Sequence, residues 1–263
     1  MKYFVLSDVH NHFSEMMSAL CSSGFDRNNP NHKIILVGDA FDRGEEAVKV
    51  FSFLIEMISL NKLIWVAGNH ELFILKRFKE NFFKRHGDTY NTLFQIASDY
   101  SGRLNLSDEE VISYSKDVGL EDLIKNNVVS HFETPNYIFI HSSLPTIKGQ
   151  LNPNWRDVPL LSWCGPAMKN GMKSVIVDGI AVPGKTIVCG HSPSAYGNVR
   201  CGVSPTEWDD KRFDKLQRLK SDLSNIDLYK PFYGEGVIGI DANCYKTGFV
   251  NCIVIEEEMH YGK

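Results

Sequence analysis

Five apolar runs in this 263-residue chain each end on Asp, Asn or His. The run YFVL (residues 3–6) is followed by Ser7, Asp8 and, two positions on, His10. IILV (34–37) leads through Gly38 to Asp39, Asp42 and Arg43. LIWVA (63–67) leads through Gly68 to Asn69 and His70. YIFI (137–140) runs straight into His141, and TIVC (186–189) passes through Gly190 to His191. The runs are continuous rather than alternating, which predicts strands covered on both faces. Similar runs occupy 237–240 and 249–255. Between the early ones, residues 13–21 (Phe13, Met16, Met17, Leu20) and 45–60 (Val48, Phe51, Leu54, Ile55, Ile58) carry apolar residues at helical spacing. A β-α-β-α-β opening predicts an α/β core with parallel strands. Parallel neighbours bring their carboxyl ends together, which is where such sheets bind ligands. The polar residues are therefore expected to converge.

Taken singly, each has an ordinary explanation. Gly-Asp after a strand makes a turn, and a single strand-end histidine is commonly a satisfied surface or core residue. Taken together they have another. Asp8, Asp39 and Asp42 crowded without compensation would repel and shift upward in pKa. A divalent cation removes that conflict, and imidazole, carboxylate and amide oxygen together suit a first-row transition metal. The set Asp8, His10, Asp39, Asn69, His141 and His191 exceeds the needs of one tetrahedral zinc. It fits two ions sharing a carboxylate, with Asp39 as the expected bridge. Asp8 and His10, two apart, are expected to point to the same side of a strand.

Residues 1–263 are read as a single domain. Residues from about 72 to 130 become charged and helix-like, a helical insertion, with Ser107-Asp108-Glu109-Glu110 as one helix start. Residues from about 194 to 236 form a long polar loop insertion. It contains the amphipathic stretch WDDKRFDKLQRLKSDL, with Trp208, Phe213, Leu216, Leu219 and Leu223 on one stripe. Both insertions flank blocks that hold Asn69 and His191, and both are expected to wall a cleft. The charged tail 256–263 is expected to fray.

With 43% hydrophobic and 23% charged residues the balance is that of a soluble globular protein. A net charge of −4 argues against a nucleic-acid partner held through phosphates. The opening MKYFVLSD is too short an apolar run for a signal peptide, and no stretch approaches the roughly 20 apolar residues of a membrane span, so no membrane partner is expected. Cys21, Cys164, Cys189, Cys201, Cys244 and Cys252 form no C-x-x-C pair. They read as reduced thiols of a cytoplasmic protein, with Cys189 and Cys252 as small core residues.

The blocks DVH, GDAFDRG, GNHE, the strand-ending His141 and GHSP resemble those of the calcineurin-like metallophosphoesterases. GDxxDRG followed by GNHE is similar to the phosphoprotein phosphatase branch, including its bacterial, phage-type and diadenosine-tetraphosphatase-like members. The resemblance implies a four-layer α/β/β/α sandwich with two mixed sheets and a dinuclear site at one edge. It implies that Asp8, His10 and Asp39 hold one metal, and that Asp39, Asn69, His141 and His191 hold the other. Manganese is the first expectation for both, with iron, zinc, nickel or cobalt as alternatives. Arg43 would clamp phosphoryl oxygens beside Asn69, and His70, oriented by Asp42, would be the general acid. A metal-bridging hydroxide would attack phosphorus directly, with no covalent phosphoenzyme.

The family branch places a second phosphate-binding arginine between its last two histidine ligands. Arg156 alone occupies that interval here, and Arg200 is a possible substitute. In the closing block GIDANCYKTG, Asp241 is expected to orient the site, while Asn243 is unassigned. Glu71 reads as a helix-start or supporting carboxylate and His12 as an exposed helix-start residue. The chain departs from the family's GDxHG at Ser7 and Asn11, and from its HGG at Ser142 and Ser143. The implied activity is a phosphomonoesterase acting on phosphoserine or phosphothreonine in proteins. The alternative is a hydrolase of dinucleoside polyphosphates or other small phosphoesters. A nuclease is disfavoured by the acidic balance, and a non-catalytic binding protein by the intact ligand set.

Overall fold

The computed structural model describes residues 1–80, 88–160, 175–200, 223 and 225–257. Strands β1 (Lys2–Leu6), β2 (His32–Val37), β3 (Leu63–Val66) and β4 (Val128–Val129) are parallel neighbours. They form a five-stranded sheet in the order β12-β1-β2-β3-β4, with β12 (Ile253–Glu256) antiparallel at its edge. The second sheet has the order β10-β11-β9-β6-β5. Its central strands β6 (Tyr137–Ile140), β9 (Thr186–Pro193) and β11 (Val237–Asp241) are parallel. Its edges β5 (Phe132–Glu133) and β10 (Phe232–Gly234) are antiparallel. A small hairpin, β7 (Thr146–Ile147) and β8 (Gln150–Leu151), stands apart.

The two-residue period of a strand divides the apolar runs between two cores. Val5, Ile35, Val37, Phe139, Val188 and Ile240 meet between the sheets. Phe4, Leu6, Ile34 and Leu36 point the other way. They pack against helices α1 (Phe13–Ser22), α2 (Ala47–Ser59), α3 (Asn69–Glu80), α4 (Asp88–Ser101), α5 (Asp108–Asp117) and α6 (Leu120–Asn127). Ile138, Ile140, Ile187 and Cys189 face a third cluster with Trp155 and Tyr196. That cluster includes α7 (Val175–Asp178) and α8 (Ala195–Arg200). Layers of helix, sheet, sheet and helix result, the expected four-layer α/β sandwich. Continuous hydrophobicity was needed because each strand has cores on both sides.

Several boundaries differ from the sequence reading. In α2 the buried stripe is Val50, Phe51, Phe53, Leu54 and Met57, whereas Ile55 is exposed; the helix is apolar nearly all round, so spacing alone leaves its orientation open. The helical segment starts at Asn69, not 72, and ends before β4, whose two residues join the first sheet. Helix α5 begins where expected: Ser107 Oγ accepts from Glu110 N, and the Glu110 carboxylate accepts from Ser107 N. Of the run 249–255 only Ile253 onward is strand. The buried Asn251 side chain instead donates to Tyr229 O and Ile240 O, holding the segment off the ladder. The tail is anchored further than expected. Glu256 closes β12, and Glu257 is buried, bonded through its carboxylate to Thr134 and through its backbone to Met1. The amphipathic stretch beginning at Trp208 lies outside the described residues except Leu223, which is exposed. Among the described residues no helix is long and apolar enough to cross a membrane. Cys21, Cys189, Cys244 and Cys252 are free thiols; Cys189 is fully buried and Cys252 half-buried.

Candidate active site

Each sheet sends three adjacent parallel strand ends toward one place. From the first come the segments after β1, β2 and β3; from the second come β6, β9 and β11. The two sets interlock. A Cβ on Gly38 would lie 2.3 Å from His141 Nδ1, and one on Gly190 would lie 2.2 Å from Asp8 Oδ2. A glycine of each sheet thus admits a polar side chain of the other, which explains Gly before Asp39 and His191.

The backbone here is unusual. Asp8, His10, Asn11, Asp39, Asp42, Arg43 and His191 all have positive φ, between 48° and 74°. Asn, Asp and His tolerate this region better than most residues, yet such positions still cost about 1–3 kcal/mol each. Asp8 and His10 therefore do not share a strand face as expected. They lie beyond β1 in a left-handed turn, anchored by Asp8 N to Gly38 O and His10 N to Asp39 O. His191 is not beyond its strand but within β9. Between the pairs Gly239–Cys189 and Asp241–Pro193, four residues of β9 advance against two of β11, and this bulge turns His191 inward.

Asp39 is the hub. Its Oδ2 lies 3.3 Å from His141 Nε2, 3.8 Å from His10 Nε2 and 3.9 Å from His70 Nε2. Asn69 Oδ1 is 3.1 Å from His141 Nε2, and Asp8 Oδ1 is 3.9 Å from His10 Nε2. His191 N donates to Asp8 Oδ2 at 2.9 Å. His10 Nδ1 donates to Phe41 O and His141 Nδ1 to Val37 O, both at 2.9 Å. Those bonds turn each Nε2 toward Asp39, the way second partners orient metal-binding imidazoles. The groups His10–Asp39–His70 and Asp39–His141–His191 each present ligand atoms within 4.8 Å of one another. The donor set fits divalent cations.

Electrostatics point the same way. Burial, then Asp241, push Asp8 well above its ordinary range. Burial would also raise Asp39, but the His141 and His70 imidazoles hold it well below. Burial, Arg43 and His70 keep His10 well below its usual value, hence neutral and able to ligate. Burial would lower His141 too, yet Asp39 outweighs it and carries His141 to about 10. A cation held by Asp39 and His141 would displace that proton.

Helix α3 starts at Asn69, so Asn69, His70 and Glu71 sit in its first turn. His70 Nδ1 donates to Asp42 Oδ2 at 2.6 Å, both groups being buried. Burial lowers the His70 pKa, but Asp39 and then the Asp42 bond reverse this, leaving it raised. The left-handed backbone of Asp42 brings it under His70. Arg43 Nη2 lies 3.4 Å from His70 Nε2. It is half-buried, and Glu46 spends its carboxylate on Ser14 and Lys49. Glu71, completely buried, accepts from the backbone N–H groups of Gly68, Asp39 and Ala40 at 2.7–3.0 Å, tying two ligand loops together.

The remaining candidates separate. Asp241 is buried at the end of β11 and accepts from Asn243 N at 2.6 Å. Burial raises its pKa, and it feels Arg43, His141 and Asp39. Asn243 is buried with φ 53°. Arg156 goes elsewhere: it donates to Glu133 at 2.5 and 3.0 Å and covers the Trp155 ring at 4.1 Å. Glu133 also binds Lys185, which precedes β9, so this ion cluster lies toward the amino ends of β6 and β9, away from His141 and His191. Arg200 ends the short helix α8 rather than lying in an open loop, and its side chain is outside the described residues. His12 is half-buried beside Glu15, not exposed. No sequence block marked Thr92 and Gln95 of α4, which contact the loop 39–47; they lie in a polar helix without a motif.

The family model for calcineurin-like phosphoesterases matches residues 1–218. The chain is 34% identical over 76 residues to the asymmetrical bis(5'-nucleosyl)-tetraphosphatase PrpE of Anoxybacillus flavithermus, covering 27% of this chain and 31% of that protein. It is 22% identical over 152 residues to PrpE of Oceanobacillus iheyensis, covering 55% and 57%. The chain thus spans less than two thirds of the length of either relative. A solved structure described as a putative diadenosine tetraphosphatase aligns with 98% of this chain and 95% of its own, at 14% identity and a TM-score of 0.49. With its family model matched over most of its length, the chain belongs to the calcineurin-like phosphoesterase family.

Proposed function

We propose that the chain is a metal-dependent phosphoric ester hydrolase whose substrates are phosphoserine or phosphothreonine residues in proteins. Asp8, His10 and Asp39 would hold one divalent cation, and Asp39, Asn69, His141 and His191 the second, with manganese first among the first-row candidates. Bound there, the cations supply Lewis acidity toward phosphoryl oxygens and make a water nucleophilic near neutral pH. Arg43 binds the phosphoryl oxygens; its planar fork matches their geometry and its positive charge follows the charge that develops on them. His70 gives its Nε2 proton to the departing oxygen, and Asp42, accepting from Nδ1, fixes the ring and stabilises the charged form.

The observation that carries this reading is the buried Asp42–His70 pair at 2.6 Å, with Arg43 beside it. An alkoxide leaving from phosphoserine needs a proton, so an acid held this firmly matters most for that substrate class. A second reading, hydrolysis of dinucleoside polyphosphates, is favoured by the names of the curated relatives. Its leaving group is a phosphate and depends less on an acid. Steady-state kinetics with added Mn²⁺ on a phosphoserine peptide and on diadenosine tetraphosphate separate the two. The expected outcome is a higher kcat/KM on the peptide and a loss of about 10²–10⁴ in kcat there for His70→Asn. Preference for the dinucleotide overturns the substrate assignment. Equal rates for wild type and His70→Asn on the peptide overturn the acid assignment.

A further inference from the structure

Helix α4 belongs to none of the blocks that carry the family resemblance, yet one of its hydroxyls sits beneath the acid pair. Thr92 is fully buried. Its Oγ1 accepts from Asp42 N at 2.8 Å and from Asn11 Nδ2 at 2.9 Å, and lies 2.7 Å from Asp42 Oδ1. A hydroxyl has one proton and two lone pairs. Both neighbours on the nitrogen side can only donate, so they take the lone pairs, and the proton must point to Asp42 Oδ1. The hydroxyl cannot rotate without breaking a buried bond. Asp42 is thereby held at three points: its N–H by Thr92, Oδ1 by Thr92, and Oδ2 by His70 Nδ1 at 2.6 Å.

One helical turn along α4, Gln95 makes a second clasp. Its Oε1 accepts from Ala47 N at 2.9 Å, and its Nε2 donates to Gly44 O at 3.0 Å. Residues three apart share a helix face, so α4 grips the loop carrying Asp42 and Arg43 at both ends. That loop has left-handed φ values of 74° at Asp42 and 69° at Arg43, each at a backbone cost that surrounding contacts must offset. Asn11 completes the arrangement. It stands where the resemblance expects glycine, is completely buried, and accepts φ 60° while supplying a donor to Thr92 that glycine lacks.

We propose that Thr92 is a positioning residue for the leaving-group acid: its hydroxyl, locked by Asn11, fixes the Asp42 carboxylate and through it the aim of His70. This rests on the reading of His70 as acid given above. The helical segment then does more than cover the sheet; it sets the geometry of proton delivery.

The test compares Thr92→Val, which keeps shape and loses the hydroxyl, with Thr92→Ser, which keeps the hydroxyl. Both are assayed as full chains with Mn²⁺ on a phosphoserine peptide and on p-nitrophenyl phosphate, whose leaving group needs no proton. Thr92→Val is expected to lower kcat on the peptide by about 10–100-fold, part of the range of acid catalysis. KM should stay within about twofold, and p-nitrophenyl phosphate turnover within about threefold, because a misplaced acid penalises only the poor leaving group. Thr92→Ser should restore the peptide rate. Equal losses on both substrates, or none on either, overturn the proposal. Should Thr92→Val not fold, Asn11→Gly takes its place. It frees the hydroxyl and is expected to give a smaller loss confined to the peptide; unchanged kinetics count against the proposal.

A second readout does not depend on turnover. In proteins labelled with ¹⁵N-histidine, the His70 Nδ1–H resonance should be sharp and far downfield in wild type and Thr92→Ser, and shifted or lost in Thr92→Val. Coincident spectra overturn the positioning role. A wild type inactive on every phosphoester with each candidate metal overturns the proposed function, and the NMR comparison then still decides whether Thr92 holds the pair.

Discussion

At the scale of single residues, the site depends on backbone conformations that few side chains adopt and on contacts that leave no room for a methyl group. Gly38 shows both, with φ +80° and the His141 ring against the place a Cβ would occupy. Gly24 has nearly the same φ, +82°, but nothing within 4 Å of that place. The two substitutions separate backbone cost from steric cost. Gly24→Ala should cost about 1 kcal/mol and leave metal binding intact. Gly38→Ala should cost several times more and release His141 from Val37 O, weakening Mn²⁺ binding. Urea midpoints and Mn²⁺ titrations check this; matched behaviour of the two variants would show that the His141 contact is unimportant. The sequence displayed the residue types of the site plainly, because Asp, His and Arg rarely cluster after buried strands for structural reasons. It did not display Thr92, whose hydroxyl is one among many in a polar helix and gains a role only through Asp42, fifty positions away.

At the scale of elements, an ion cluster at the amino ends of β6 and β9 helps join the second sheet to the segment after β8. Arg156 and Lys185 both bind Glu133. The Arg156 bond, followed by Lys185 and opposed by burial, holds the Glu133 pKa at about 2, against an ordinary 4.5. A lowered carboxylate stabilises the fold fully above its unfolded value and loses that contribution as pH falls through the folded value. The Glu133→Gln variant should therefore be less stable than wild type at pH 7, by about 1 kcal/mol after allowing for solvent screening. The difference should shrink below pH 4.5 and disappear toward pH 2. Denaturant midpoints at pH 7, 4.5 and 3 measure it; a pH-independent difference would mean that packing, not charge, is at stake. Arg156 illustrates how position in the chain misleads. It lies between His141 and His191 in sequence, but its 3-10 turn, Trp155–Asp157, packs at the other end of their strands.

For the whole molecule, two sheets meet so that the parallel strand ends of each close on the other. Buried Asp8, Asp39, Glu71 and Asp241 then lie near one another, and burial pushes Asp8, Glu71 and Asp241 upward in pKa. A cation pair held there, as proposed, would compensate that charge, so metal binding should be coupled to global stability. Chelation with EDTA is expected to lower Tm and abolish turnover, and Mn²⁺ at about 1,000 times its Kd should return about 4 kcal/mol. Calorimetry with and without Mn²⁺ provides the check: an unchanged Tm would show that the cluster does not hold cations.

What the amino-acid order determined by itself was periodicity and chemistry: continuous apolar strands, helices between them, and five polar stops whose donors suit a metal. These are local properties, carried by neighbours within a few positions. Which stops meet, which arginine faces them and which helix braces the Asp42–His70 pair were decided only by the tertiary structure. Sheet order, a bulge in β9 and left-handed turns arise from contacts between distant segments, and those contacts have no signature in any short stretch of the chain.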